Sequence, residues 1–333
     1  MKKTKILVIR FSSIGDIVLT TTIVRALKEQ VNGIELHYLT KTENETLLRN
    51  NKYIDKLHLF KSDLPQVLDS LRLEEFSYIV DLQKNFRSLR IKKSLGVRAK
   101  TFPKLNLRKW LLVNCKLNMM PAIHIVDRYF SAVSDLEVRN DGRGLDYFLQ
   151  EEDSIGGDAL PLEFQNGYVA CVVGSKHETK QMSLDLMIKL CQSIRKPIIL
   201  LGGPQDRNKA MQIEQGVGTK VFNACGAYDI NQSAYLLKNS LGVVTPDTGL
   251  MHIASAFDKN IVAVWGNTVP QLGMYPYRAK NAEGKTYNFE VKNLKCRPCS
   301  KLGYDKCPKG HFKCMKQQDV ASIAEIVNSW SED

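Results

Sequence analysis

Residues 5–27 read KILVIRFSSIGDIVLTTTIVRAL. The apolar run Ile6 to Ile9 is closed by Arg10, a small-residue turn follows at Ser12 and Ser13, and beyond Gly15 and Asp16 the apolar residues resume. A short apolar run bounded by turn residues fits a strand buried on both faces, and the resumed pattern fits an amphipathic helix over 17–30. Strand, turn and helix in that order form the repeating unit of a parallel α/β sheet covered on both sides. The unit recurs. Further strands are expected at 35–40, 56–60 and 78–82, with a helix over 64–73. The pattern restarts with YVACVVGS (168–175), PIILLGG (197–203), LGVVTPDT (241–248) and NIVAVWG (260–266), again separated by helical segments. The polar, Gly-containing stretch 138–165 reads as a linker. Two Rossmann-like, doubly wound units are expected, 1–160 and 161–333, the second ending in a Cys-rich tail and a terminal helix and the two facing across a cleft.

Bulk composition agrees. A chain of 333 residues, 44% of them hydrophobic, is long for one core and supplies two. Arg10 and Asp16 interrupt the apolar run after Met1–Lys3 before an export signal would be complete. No stretch approaches the roughly eighteen apolar residues that cross a bilayer. A soluble, cytoplasmic protein is expected. The net charge of +12 favours an anionic partner, and residues 84–110 carry many Lys and Arg but no acid. That stretch reads either as a solvated face or as a docking surface for a phosphate-rich partner. Phe86, Phe102 and Trp110 are too widely spaced for a base-stacking platform, so nucleic acid is not expected.

Candidate chemistry gathers at the expected carboxyl ends of strands, where open α/β sheets bind ligands. In TPDTGLMHIA (245–254), Asp247, Thr248 and Gly249 start a helix whose unpaired amides can hold a phosphate; either Asp247 or Thr248 alone would also be explained as a plain cap. His252 lies one turn further on. The loop GSKHETKQ (174–181) offers Ser175, Lys176 and Lys180 to a second phosphate, and in LGGPQDR (201–207) Asp206 can accept from a ribose hydroxyl. No G-x-G-x-x-G or Walker-type loop is present, which disfavours dehydrogenase and P-loop readings. Cys115, Cys171, Cys191 and Cys225 read as small core residues. Cys296, Cys299, Cys307 and Cys314 allow a structural zinc with His311 as a substitute ligand, disulfides, or a thiol-rich ordered loop.

The pairing of RFSSIGDIVLTTTIVRALK with TPDTGLMHIASAFDKNIVAVWGNTVPQLGMYPY, together with DLQKNFRS (81–88) and the Cys-rich tail, resembles the bacterial heptosyltransferases of lipopolysaccharide synthesis, glycosyltransferase family 9. The resemblance implies a GT-B fold and inverting transfer of heptose from ADP-heptose to the inner core on lipid A. It implies an acceptor-binding first unit and a nucleotide-sugar-binding second unit. Asp16 is then the general base and Lys180 grips the leaving diphosphate, with Ser175, Lys176, Asp206, Asp247, Thr248, Gly249 and His252 around the donor. Ser13, Gly15, Asp81, Gln83, Arg87 and Ser88 fall to the acceptor side. Asp16 needs raised basicity for this task, so desolvation must outweigh the helix dipole beside it. No Asp-x-Asp pair occurs, so no metal cofactor is expected at the diphosphate; the ADP-sugar is a substrate. The basic 84–109 stretch becomes a docking surface for phosphorylated lipid A and the anionic inner face of the inner membrane. Two alternatives stay open: a GT-B transferase with another donor or acceptor, and a non-catalytic protein that binds nucleotide sugars or nucleic acid.

Overall fold

The computed structural model describes residues 4–61, 64–156 and 159–331; Met1–Lys3 and, within the expected linker, Gly157 and Asp158 lie outside them. The chain divides into two compact units. One comprises residues up to Lys104 with Ile123–Phe148 and Tyr277–Asn281; the other comprises Leu105–Ala122, Leu149–Pro276 and the residues from Ala282 onward.

The first unit is built on a five-stranded sheet: β1 (Thr4–Ile9), β2 (Ile34–Lys41), β3 (Lys56–Phe60), β4 (Tyr78–Asp81) and β5 (Ala99–Thr101), in the order β3-β2-β1-β4-β5. All pairings are parallel, with Ile9 opposite Leu39 on one side and Asp81 on the other. Ile6 to Ile9 are fully buried, as expected of a central strand covered on both faces. The helix expected over 17–30 is two helices, Ile14–Val18 and Thr21–Gln30. Threonine hydroxyls make the break: Thr20 Oγ1 donates to the Ile17 carbonyl at 2.7 Å and Thr21 Oγ1 to that of Val18 at 2.7 Å. Such local bonds compete with the helical ladder. The helix Phe86–Leu95 is boxed at its start by Asn85 and Ser88 and ends at Gly96, whose φ of +66° is the left-handed cap that glycine adopts without strain.

Residues 138–148 are not a solvated linker. Arg25, 1% exposed, reaches them from the helix Thr21–Gln30. Its guanidinium makes two bonds to Asp141, at 2.8 and 3.0 Å, one to Asp146, and one to the Gly144 carbonyl at 2.8 Å. Thr22 Oγ1 donates to the same carbonyl. Its acids, Asp141 and Asp146, are the partners of a buried arginine.

The second unit has a six-stranded parallel sheet: β6 (Val169–Val172), β7 (Ile198–Leu201), β8 (Val221–Asn223), β9 (Gly242–Pro246), β10 (Ile261–Trp265) and β11 (Thr286–Glu290), ordered β11-β10-β9-β6-β7-β8. One core joins β6, β7 and β10 to the helices Leu184–Ser193 and Val320–Asn328, with Met315 and Trp330 of the tail inside it. Cys171, Cys191 and Cys225 are buried in it as expected. Cys115 is exposed, because it closes the π-helical turn Leu111–Cys115 at the surface.

Candidate functional site

In the first unit the residues expected around the acceptor meet where β1 and β4 end side by side. Ser13 starts the helix Ile14–Val18, and the Asp16 side chain returns to it: Oδ2 accepts from the Ser13 amide at 3.2 Å and from Ser13 Oγ at 2.9 Å. Oδ1 pairs with Arg10 Nη2 at 2.6 Å. The carboxylate is 19% exposed, beneath the exposed Ser13 and Ile14, with Gly15 buried behind it. Arg10 is itself buried, and it donates to the Leu82 carbonyl at 2.6 Å and to that of Ser12 at 2.9 Å. It thereby ties the β1 turn to the β4 turn.

These contacts correct the expectation of a raised Asp16 pKa. Burial does push the carboxyl upward, but the Arg10 guanidinium and the two bonds from Ser13 outweigh it and hold the pKa below the ordinary aspartate value. Asp16 is therefore an ionised hydrogen-bond acceptor whose basicity is held down by Arg10. Arg10 was legible only as the residue that closes the first strand.

Asp81 is fully buried at the end of β4. Its carboxylate accepts from the Gln83 amide at 3.0 Å, the Lys84 amide at 2.7 Å and Ser88 Oγ at 2.9 Å, and pairs with Lys92 at 2.8 Å. Asp81 and Ser88 thus shape the turn. Gln83 Oε1 accepts from the Phe11 amide at 2.9 Å and joins that turn to β1. Arg87 is exposed in the first turn of the helix Phe86–Leu95. Lys104, half-buried, was not anticipated; burial lowers its pKa, Arg10 lowers it further, and Asp81 and Asp16 act in the opposite sense. A second cation thus lies within electrostatic reach of both carboxylates.

In the second unit the structure brings together two segments 67 residues apart. Lys180, in the single turn Glu178–Lys180 after β6, pairs with Asp247 beyond β9 at 2.7 Å. The same Asp247 oxygen accepts from Thr268 Oγ1 at 2.9 Å, which adds the end of β10. Thr248 caps the helix Gly249–Ala256 with extended backbone, and its hydroxyl lies 3.2 Å from Thr245 Oγ1. The first-turn amides thus open beside a lysine, a carboxylate and two threonines. His252 is buried within this helix. Ser175 is half-buried and gives its carbonyl to Gln181 Nε2, whereas Lys176 is exposed. Asp206 is 4% exposed and accepts from the Gly203 amide at 2.9 Å and from Gln205 Nε2 at 3.2 Å. Burial raises its pKa against the Gly203 bond and Lys209. It lies directly over Gly174, where a Cβ would stand 1.9 Å from its carboxylate, so only glycine allows the approach.

Two further features were missed. Asn267, 1% exposed, follows β10 beside Thr268, and neither Oδ1 nor Nδ2 has a hydrogen-bond partner among the described residues. Buried carboxamides are normally paired, so this one is an exception within the unit. The Cys-rich tail, in turn, supports the Lys180 loop. Tyr304 and Thr179 exchange three bonds of 2.8 to 3.1 Å. Arg297 and Gln318 bind carbonyls at the end of β10, including that of Trp265.

Among the described residues, only His37, His58 and Glu74 place three ligand atoms of the kind that hold metals within 4.8 Å of one another. That group lies away from the strand ends discussed above; Glu74 already pairs with Lys5 and Lys56, and His37 Nδ1 lies 2.8 Å from His58 Nε2. Cys296, Cys299, Cys307 and Cys314 form no such group. Cys296 Sγ lies 3.8 Å from His311 Nε2, while Cys299 Sγ donates to the Cys296 carbonyl.

Comparison with known proteins identifies the family and the fold. The family described as Glycosyltransferase family 9 (heptosyltransferase) matches residues 66–302. A lipopolysaccharide heptosyltransferase 1 of Campylobacter coli is 23% identical over 291 residues, 79% of this chain and 84% of that protein. Among solved structures, a family 9 glycosyltransferase of Veillonella parvula superposes with a TM-score of 0.77 at 17% identity, covering 99% of both chains. The Escherichia coli heptosyltransferase WaaC, solved with ADP, gives 0.70 at 17% identity over 98% of this chain and all of that one. The shared fold is the expected GT-B type.

Proposed function

Because the chain belongs to glycosyltransferase family 9, the heptosyltransferases, we propose that this glycosyltransferase moves heptose from ADP-heptose to the inner core of lipopolysaccharide, inverting the anomeric carbon. The reading assigns the donor to the second unit and the acceptor to the first. The observation that carries it is the Lys180–Asp247 pair at the start of the helix Gly249–Ala256, where a lysine and unpaired amides stand ready for a diphosphate. On arrival of the donor, Lys180 exchanges Asp247 for phosphate oxygens, and the helix amides take up part of the remaining charge. As the bond from the anomeric carbon to the phosphate oxygen breaks, charge grows on departing ADP, and a fixed lysine stabilises it. The acceptor hydroxyl forms the new bond from the opposite face and gives its proton to Asp16. Asp16 becomes a competent base as its hold on Arg10 loosens when an anionic acceptor engages Arg10, Lys104 and Arg87.

The donor requires no divalent metal on this reading, since Lys180 and backbone amides meet the diphosphate. Loss of activity on EDTA treatment, restored by Mg²⁺, would overturn that part. The lipid-borne, phosphorylated acceptor fits the basic first unit and implies a protein working at the cytoplasmic face of the inner membrane; no described helix is long and apolar enough to cross one. The decisive test is mass spectrometry of products from ADP-heptose and a Kdo-lipid A acceptor. Asp16→Asn should lower turnover at least about 10²-fold while ADP still binds. Unchanged turnover removes Asp16 as the base, and transfer from a UDP- or GDP-sugar instead removes the donor assignment.

A further inference from the structure

The segment 106–119 presents an unusual surface. It forms the helix Asn106–Trp110, runs on as the π-helical turn Leu111–Cys115, and ends in an irregular stretch. Four large apolar side chains within it face solvent: Leu107 is 71% exposed, Trp110 55%, Leu117 56% and Met119 57%. The segment is nevertheless firmly anchored. Leu112 is buried against Val269 and Leu272, with Met120 beside them, and Lys116 Nζ donates to the carbonyls of Pro298 at 2.6 Å and Cys296 at 3.2 Å. Single exposed apolar residues are ordinary on a protein surface, but four within thirteen residues on an anchored segment are not.

Charge identifies the partner. From Leu105 to Ala122, the part of the second unit that carries the segment, the sequence holds Arg108, Lys109 and Lys116 and no acid, with all three cations inside the apolar segment. Trp and Leu beside cations is the composition of a bilayer interface, where rings and chains enter the headgroup boundary and the cations meet anionic lipid. We propose that residues 106–119 insert Leu107, Trp110, Leu117 and Met119 into an anionic bilayer and so dock the enzyme on the membrane. This docking needs neither donor nor acceptor and stands apart from sugar transfer.

Trp110 supplies the test. Of the three tryptophans, Trp265 and Trp330 are buried at 1% and 5% exposure, so lipid can reach only Trp110. The full-length protein is titrated with vesicles of phosphatidylethanolamine and phosphatidylglycerol, with and without bromine on the acyl chains. Insertion predicts a blue shift and quenching by brominated lipid, both lost in Trp110→Phe. Leu107→Asp with Met119→Asp should weaken vesicle binding about tenfold or more, with ADP affinity and the melting temperature unchanged. Binding without quenching that salt abolishes would mean surface attraction alone and overturn the proposal. Concentration-dependent self-association lost in the same double variant, without vesicle binding, would assign the face to a second copy and overturn it equally.

Discussion

Replacing Arg10 by Met gives the most informative perturbation of the first unit. Arg10 is buried and its guanidinium lies 2.6 Å from Asp16. At an effective dielectric of about 20 the gross attraction at that distance is about 6 kcal/mol, most of it offset by the burial of both charges. The variant loses this attraction and the bonds to the Leu82 and Ser12 carbonyls, and it strands a carboxylate that is only 19% exposed. Truncating one partner of such a pair costs about 3–5 kcal/mol, so the melting temperature should fall by about 10 °C. The pH dependence carries the sign. In the wild type the Asp16 pKa is held below its unfolded value, so the pairing stabilises fully above the ordinary aspartate range and is lost as pH falls through the folded pKa. In Arg10→Met only the two bonds from Ser13 oppose burial, the Asp16 pKa rises, and the penalty present at neutral pH is relieved on acidification. Urea melts of both proteins from pH 7 to pH 4 should therefore converge, and Asp16→Asn in the Arg10→Met background should recover part of the loss. A stability difference constant across this range, or one below about 1 kcal/mol, would refute the account of Asp16 as a carboxylate governed by Arg10.

Asn267→Leu tests the orphaned carboxamide. Removing two unpaired buried polar atoms should raise stability measured without nucleotide by about 1 kcal/mol, while ADP affinity by calorimetry falls about tenfold. Lower stability with unchanged affinity would show that Asn267 serves the fold alone. A third prediction concerns His58, whose pKa is pushed down to about 4 by burial and by His37 against the pull of Glu74, with Lys56 and Lys5 nearby. Because its folded pKa lies below the unfolded one, the penalty is absent above about pH 6.5, grows as pH falls, and is complete near pH 4 at about 3 kcal/mol. His58→Phe should flatten that acid limb in denaturant melts, and an unaltered limb would move the effect to another group.

The central strands were legible because apolar runs such as Ile6–Ile9 and Ile198–Leu201 are buried on both faces and leave a continuous signal. β5 and β11 were not. Both are edge strands with one neighbour, and AKT and TYNFE carry too little apolar character to stand out. At the site, residue types at strand ends pointed to the Lys180 loop and the Asp247 turn, but their direct pairing is tertiary and leaves no local pattern. Arg10 shows the same limit more sharply: one charged residue after a strand looks like a terminator, and only three-dimensional packing shows that it governs Asp16. The tail was read from its cysteines, whereas the contacts that matter to the Lys180 loop come from Tyr304, Arg297 and Gln318.

The arginine clasp at Arg25 decides how this protein can be dissected. Any attempt to produce the amino-terminal sheet alone by stopping the gene near residue 104 would omit Asp141, Gly144 and Asp146 and leave a guanidinium of 1% exposure without its counter-charges. The first unit draws on Ile123–Phe148 and on Tyr277–Asn281 besides its sheet, so a limited-proteolysis or split-gene experiment should keep at least the chain through Phe148.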